Sequence, residues 1–157
     1  MPAPKLSTKA WTVVLTTYAA YVAIYAARKP FSVVKAGIAQ TKGYSTLQLA
    51  TVDTALLLAY AIGQLSLGYL ARPLGRRLTL VLGFFVAGLA TAAMSLAQTP
   101  AQMALFWGVA GLAAAPTNPL FLIIVGDVVP DGVRSTVLGV WTSCENVGGA
   151  FANPLDS

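Results

Sequence analysis

Arg28 and Lys29 interrupt an otherwise apolar run, with Trp11 to Ala27 before them and Phe31–Val34 after. An ionised side chain inside a bilayer is costly, so such residues face a bundle interior or a wet cavity and mark a path for a solute or ion. On a helix, steps of three and four residues stack on one face, which aligns Arg28 with Tyr25, Tyr21 and Tyr18. A ladder of hydroxyls thus leads to a guanidinium. That group is permanently charged, and its forked donors match a phosphate or a carboxylate in bidentate fashion. Two readings follow: an interfacial anchor or an anion site.

Other segments carry polar residues in patterns of their own. Asp53, Tyr60 and Gln64, spaced by seven and four, share a face distinct from that of Ala55, Ala59 and Gly63. The small residues make a smooth surface for close helix contact. Tyr60 and Gln64 fall mid-segment and read as cavity-facing, while Asp53 reads equally as a cap near the start of its helix. The run Pro116-Thr117-Asn118-Pro119 frees backbone carbonyls inside an apolar stretch and adds Thr117 and Asn118 as polar partners. Such a break is tolerable at membrane depth only against protein or water, so Asn118 is a candidate cavity residue. Glu145 lies in the last apolar segment and reads either as a functional intramembrane acid or as a residue at the membrane edge. Trp11, Trp107 and Trp141 read as interfacial aromatics without a substrate role.

The elements that must position these residues follow from composition. The 157 residues are 57% hydrophobic and 10% charged, with a mean hydropathy of +0.72. A soluble domain carries about a quarter charged residues. The chain therefore reads as all-α, a polytopic membrane helix bundle. Behind a tail at 1–9, the bundle covers 10–157, with spans expected near 10–34, 47–70, 78–97, 103–125 and 135–157. Pro30 predicts a kink in the first span, and polar stretches at 40–45, 98–102 and 127–134 predict loops. Segments one and four both carry prolines inside apolar runs, a weak symmetry with a three-helix repeat unit. Broken helices at matching positions of a repeat point to a carrier's binding site.

Basic residues orient the bundle. Lys5, Lys9, Arg72, Arg76, Arg77 and Arg134 fall on one side and Lys35, Lys42, Arg28 and Lys29 on the other, six against four, or six against two if the pair is intramembrane. The bias places the amino terminus in the cytoplasm. The net charge of +5 includes no dense basic run, which argues against nucleic acid. With no His and only Cys144, the chain lacks the usual ligands for zinc or haem, and no cofactor is expected. No nucleophile–base pair is visible, so an enzyme is not expected. The first apolar stretch is too long for a signal core and is interrupted by Tyr18, Tyr21 and Tyr25, which argues against cleavage.

The run from Gly68 to Arg77, Gly-Tyr-Leu-Ala-Arg-Pro-Leu-Gly-Arg-Arg, resembles the signature loop of the major facilitator superfamily, Gly-x-Leu-Ala-Asp-Arg-x-Gly-Arg-Arg. Gly68, Leu70, Ala71, Gly75, Arg76 and Arg77 fit, whereas Arg72 takes the acidic slot and Pro73 the first basic one. Tyr25 to Phe31, Tyr-x-x-Arg-Lys-x-Phe, continuing through Ser32 to Lys35, resembles the first helix of the organophosphate–phosphate antiporter family. Val52 to Gly63 resembles the second helix of its eukaryotic sugar-phosphate exchangers, and Gly139 to Gly149 resembles the fifth.

That resemblance implies a partial major facilitator fold with five of twelve helices, the carboxyl-terminal half missing, and no transport by this chain alone. It implies exchange of a phosphorylated small metabolite, a sugar phosphate or glycerol phosphate, for inorganic phosphate by alternating access. Arg28 would be one of two arginines gripping the phosphate, Lys29 would add field, and Tyr21, Tyr25 and Tyr60 would line the cavity. Gln64 stands where bacterial members carry Lys, and Glu145 where several carry His, which makes this cavity less cationic. Glu145 would instead neutralise Lys29 or carry a proton. Pro116–Pro119 departs from the family's Gly-Trp-Pro-Pro, with Asn118 in the altered stretch. The expected partners are a phosphate ester, inorganic phosphate and the lipid bilayer. The expected site is the endoplasmic reticulum membrane, with the plasma membrane as the alternative. Two other readings stand beside this one: a facilitator for another organic anion or a proton-coupled solute, and a non-transporting membrane subunit that binds a partner through its small-residue faces.

Overall fold

A helix that is apolar on every side needs lipid or a large core around it, and three stretches of this chain read that way. A computed structural model describes residues 6–28 and 30–151, without the side chains of 27, 28, 30, 32–34, 36, 67–70 and 151. The described chain is helical from end to end: α1 (Thr8–Arg28), α2 (Pro30–Lys42), α3 (Thr46–Met94), α4 (Pro100–Ala114), α5 (Thr117–Val128), α6 (Asp131–Thr142) and α7 (Cys144–Phe151). Among the described residues, three spans are long and apolar enough to cross a membrane: Thr46–Ser66, Ala71–Met94 and Pro100–Val128. Leu57, Leu65 and Phe85 on the first two are largely exposed, as lipid-facing side chains are.

Several boundaries differ from the sequence-based expectation. The polar residues 40–42 are helical, because α2 continues until Gly43 ends it at φ +69. Residues 127–134 are also mostly helical, since only Val129 and Pro130 separate α5 from α6. Arg134 lies inside α6, pairs with Asp131 at 2.6 Å and caps the Val129 carbonyl at 3.1 Å. Breaks do occur at the prolines: α1 ends at Arg28 and α2 opens on Pro30, while Ala115 and Pro116 separate α4 from α5. A proline is well placed at a first helical position because its missing donor has no partner there. The fifth segment is two short helices joined at Ser143.

The chain forms two compact units, residues 34–117 and residues 1–33 with 118–157. In the first, both arms of α3 flank α4. Added Cβ atoms at Gly63 and Gly83 would meet Ala115 Cβ at 2.6 Å and the Ala113 carbonyl at 2.7 Å. Positions 63 and 83 would stand about 30 Å apart along a straight helix, so the chain folds back between them. The turn is at Gly75, whose φ of 74° and ψ of 155° belong to a region that only glycine occupies without strain. The basic stretch thus keeps its glycine hinge but is otherwise helical. Ser45 and Thr99 cap α3 and α4 in reciprocal capping boxes with Gln48 and Gln102. Asp53 is therefore not the cap; it forms an ion pair with Lys35.

In the second unit, α1 and α7 pack closely. A Cβ at Gly148 would lie 2.6 Å from Tyr25 Cβ and 2.8 Å from the Val22 carbonyl, so nothing larger than glycine lets these helices meet. The core beside them is aromatic. Tyr21 lies 5.4 Å from Trp141 and 6.2 Å from Phe121 by ring centroid, and Phe121 lies 6.1 Å from Trp141.

Candidate functional site

The tyrosine ladder of α1 points into this unit rather than along an outer surface. Tyr18 shares a 3.0 Å hydrogen bond with Ser143, and Tyr21 is 2% exposed. One turn before Tyr21, Thr17 Oγ1 accepts from Trp141 Nε1 at 3.0 Å. Trp141 is fully buried and Trp107 nearly so, which corrects the interfacial reading of both; Trp11, half exposed, keeps it. An indole buried in a helical core needs an acceptor for its N–H, and Thr17 supplies one.

Three helices bring polar side chains together at Tyr21. Asn118, on the first turn of α5, donates from Nδ2 to Tyr21 Oη at 2.8 Å and to Glu145 Oε1 at 2.9 Å. Tyr21 Oη also donates to Glu145 Oε1 at 3.4 Å. Asn118 and Glu145 are half-buried. Pro116 breaks the helix just before Asn118, and the Gly148 contact holds α7 against α1, so each backbone feature seats one member of the cluster. Tyr25 stands beside it, with its ring 5.4 Å from that of Tyr21.

The remaining candidates are placed differently. Arg28, seven residues beyond Tyr21 on the same helix, closes α1; its side chain, and Lys29 altogether, lie outside the described residues. Tyr60 and Gln64 belong to the other unit, on the first arm of α3, where Tyr60 is half-buried and Gln64 exposed. The sequence reading passed over Thr17 and Ser143 and gave Trp141 no place in the core. Thr17 had a signal, since it precedes Tyr21 by four residues on one face, but its partner lies 124 residues away and had none.

Helices with a polar junction in an otherwise apolar bundle suit solute passage, and the comparisons with known proteins agree. The model of the Major Facilitator Superfamily matches residues 17–157. The chain belongs to that superfamily. Membership agrees with its three candidate membrane spans. It is 30% identical to "Putative glycerol-3-phosphate transporter 2" of Arabidopsis thaliana, over 88% of this chain and 31% of that protein. It is 29% identical to "Sugar phosphate exchanger 3" of Xenopus laevis, over 87% of this chain and 34% of that protein. It is 28% identical to "Probable L-galactonate transporter" of Escherichia coli, over 92% of this chain and 32% of that protein. The chain spans about a third of the length of these relatives. The relatives named for glycerol 3-phosphate and sugar phosphate agree with the resemblance to the organophosphate–phosphate antiporter family.

Proposed function

We propose that this chain supplies the amino-terminal helices of a carrier that exchanges a phosphorylated small metabolite for inorganic phosphate by alternating access. Support comes first from the cluster of Tyr21, Asn118 and Glu145, where polar groups of three helices meet in a bundle that is otherwise apolar. Polar groups gathered inside an apolar membrane bundle mark a cavity or a path. The relatives named for glycerol 3-phosphate transport and sugar phosphate exchange suggest the substrate class.

Arg28 grips the anion with its forked donors, and Lys29 adds positive field. Tyr21 and Tyr25 line the approach together with Asn118 and Glu145. The opposing bundle of the full-length carrier completes the grip. No covalent step is involved. Exchange requires only that the loaded carrier reorient more readily than the empty one, a difference in affinity between two states. On this reading the chain is multi-pass with a cytoplasmic amino terminus, in the endoplasmic reticulum membrane as the eukaryotic resemblance implies, with the plasma membrane as the alternative.

The test is counterflow. Liposomes holding the full-length carrier and loaded with phosphate take up labelled hexose phosphate, and liposomes loaded with chloride do not. A second reading, a carrier for an organic anion that lacks phosphate, is favoured by the relative named for L-galactonate. External phosphate then fails to compete with uptake.

A further inference from the structure

The hydrogen-bond valences around Glu145 are unequal. Both amide hydrogens of Asn118 are used, one on Tyr21 Oη and one on Glu145 Oε1, and the Tyr21 hydroxyl also points at Oε1. The amide cannot be reversed, because Asn118 Oδ1 would then face the acceptor oxygen of Glu145. Donors therefore point inward. Glu145 Oε2 and Asn118 Oδ1 accept no hydrogen bond from any described residue, and neither is among the buried atoms lacking a partner, so both reach accessible space.

A pair of open acceptors is the wrong surface for a phosphate, whose oxygens are themselves acceptors. It suits hydroxyl groups, which donate. We infer that Glu145 and Asn118 form a subsite for the hydroxylated carbons of the substrate, held away from the phosphate, so that the carrier selects polyhydroxylated phosphate esters over phosphate esters without hydroxyls. Tyr21 is the positioning residue: it is clamped between Trp141 and Phe121 and fixes the Asn118 amide. The inference rests on the exchange reading above. It adds what that reading lacks, a reason for an acid in an anion cavity.

The experiment reads a ratio that does not depend on the overall rate. In the full-length carrier, phosphate exchange is inhibited by a hexose phosphate and, separately, by an alkyl phosphate of equal charge. A well-formed hydrogen bond corresponds to up to about a tenfold change in affinity. The wild-type carrier then prefers the hexose phosphate by about tenfold, and Glu145→Leu and Asn118→Leu bring the ratio close to one. Where Glu145→Leu leaves too little exchange or protein to measure, Glu145→Met, of similar length and without an oxygen acceptor, is scored by the same ratio in equilibrium binding of the purified carrier. A ratio that stays near ten in the variants overturns the subsite and leaves the exchange reading intact. A wild-type ratio near one overturns it equally, and a wild-type carrier that exchanges no phosphate overturns both.

Discussion

Asn118 Nδ2 donates to Glu145 Oε1 at 2.9 Å, tying the start of α5 to α7 beside the tyrosine face of α1. Neither residue has a strong local reason to be polar. Asn118 follows a proline break in an apolar run, and Glu145 sits between Cys144 and Asn146 on the first turn of a short helix. Their bond, shared with Tyr21, turns two isolated polar residues into one junction. Interhelical bonds of this kind contribute roughly 0.6 kcal/mol each in membrane proteins, rising to about 1.7. The junction is thus too weak to be explained by stability alone.

The Trp141–Thr17 bond is more firmly structural. Thr17→Val keeps the shape and leaves the fully buried indole N–H without its acceptor. The expected cost is about 1–2 kcal/mol, seen as a lower midpoint of thermal unfolding in detergent. An unchanged midpoint contradicts the assignment.

Gly148→Ala puts a methyl group 2.6 Å from Tyr25 Cβ and 2.8 Å from a backbone carbonyl, neither of which can swing aside. We expect a loss of about 1–3 kcal/mol, as for overpacked cores, and a greater loss for Gly148→Leu. Disulfide crosslinking between cysteines introduced on α1 and α7 reports the separation directly.

Gly75→Ala tests strain without a clash. Nothing lies within 4 Å of a Cβ there, yet φ is +74°. The expected penalty is about 1–3 kcal/mol from backbone conformation alone, and Gly75→Val is no better tolerated. A neutral Gly75→Ala shows that the hinge adopts another conformation.

The Lys35–Asp53 ion pair predicts the opposite result. Its side chains are 26% and 41% exposed, so screening leaves a coupling of roughly 0.2–1 kcal/mol in a double-mutant cycle. Removing either partner should change stability little and leave substrate preference untouched. A large effect on substrate preference contradicts this placement of Asp53.

Much of this architecture was legible because lipid makes it so. Apolar runs gave the helical class, and the prolines at 30 and 116 gave breaks at residues where helices do end. Loop boundaries were less legible. Residues 40–42 and 131–134 are polar, and polarity was read as loop, whereas helix continues through them until Gly43 or starts after Pro130. The cap of α3 was visible as Ser45 followed by Gln48, yet Asp53 competed for it as a nearby acid. In the site, the period of α1 selected Tyr18, Tyr21 and Tyr25 together, and polarity inside apolar runs selected Asn118 and Glu145. That the last two meet at Tyr21 depends on pairings across 97 and 124 residues, which no local pattern carries. The tryptophans misled because an aromatic with one polar atom suits an interface and a buried core equally.

We propose that Arg28 grips an anion that the carrier trades for phosphate. Lysine at position 28 keeps the charge and removes the fork. The decisive measurement is phosphate-driven counterflow of labelled hexose phosphate in liposomes, comparing the full-length carrier with its Arg28→Lys variant. The account predicts counterflow in the first and a loss of at least about a hundredfold in the second, in line with about 3 kcal/mol for a lost bidentate charge pair. Counterflow that persists in Arg28→Lys, or that runs equally well without internal phosphate, contradicts it.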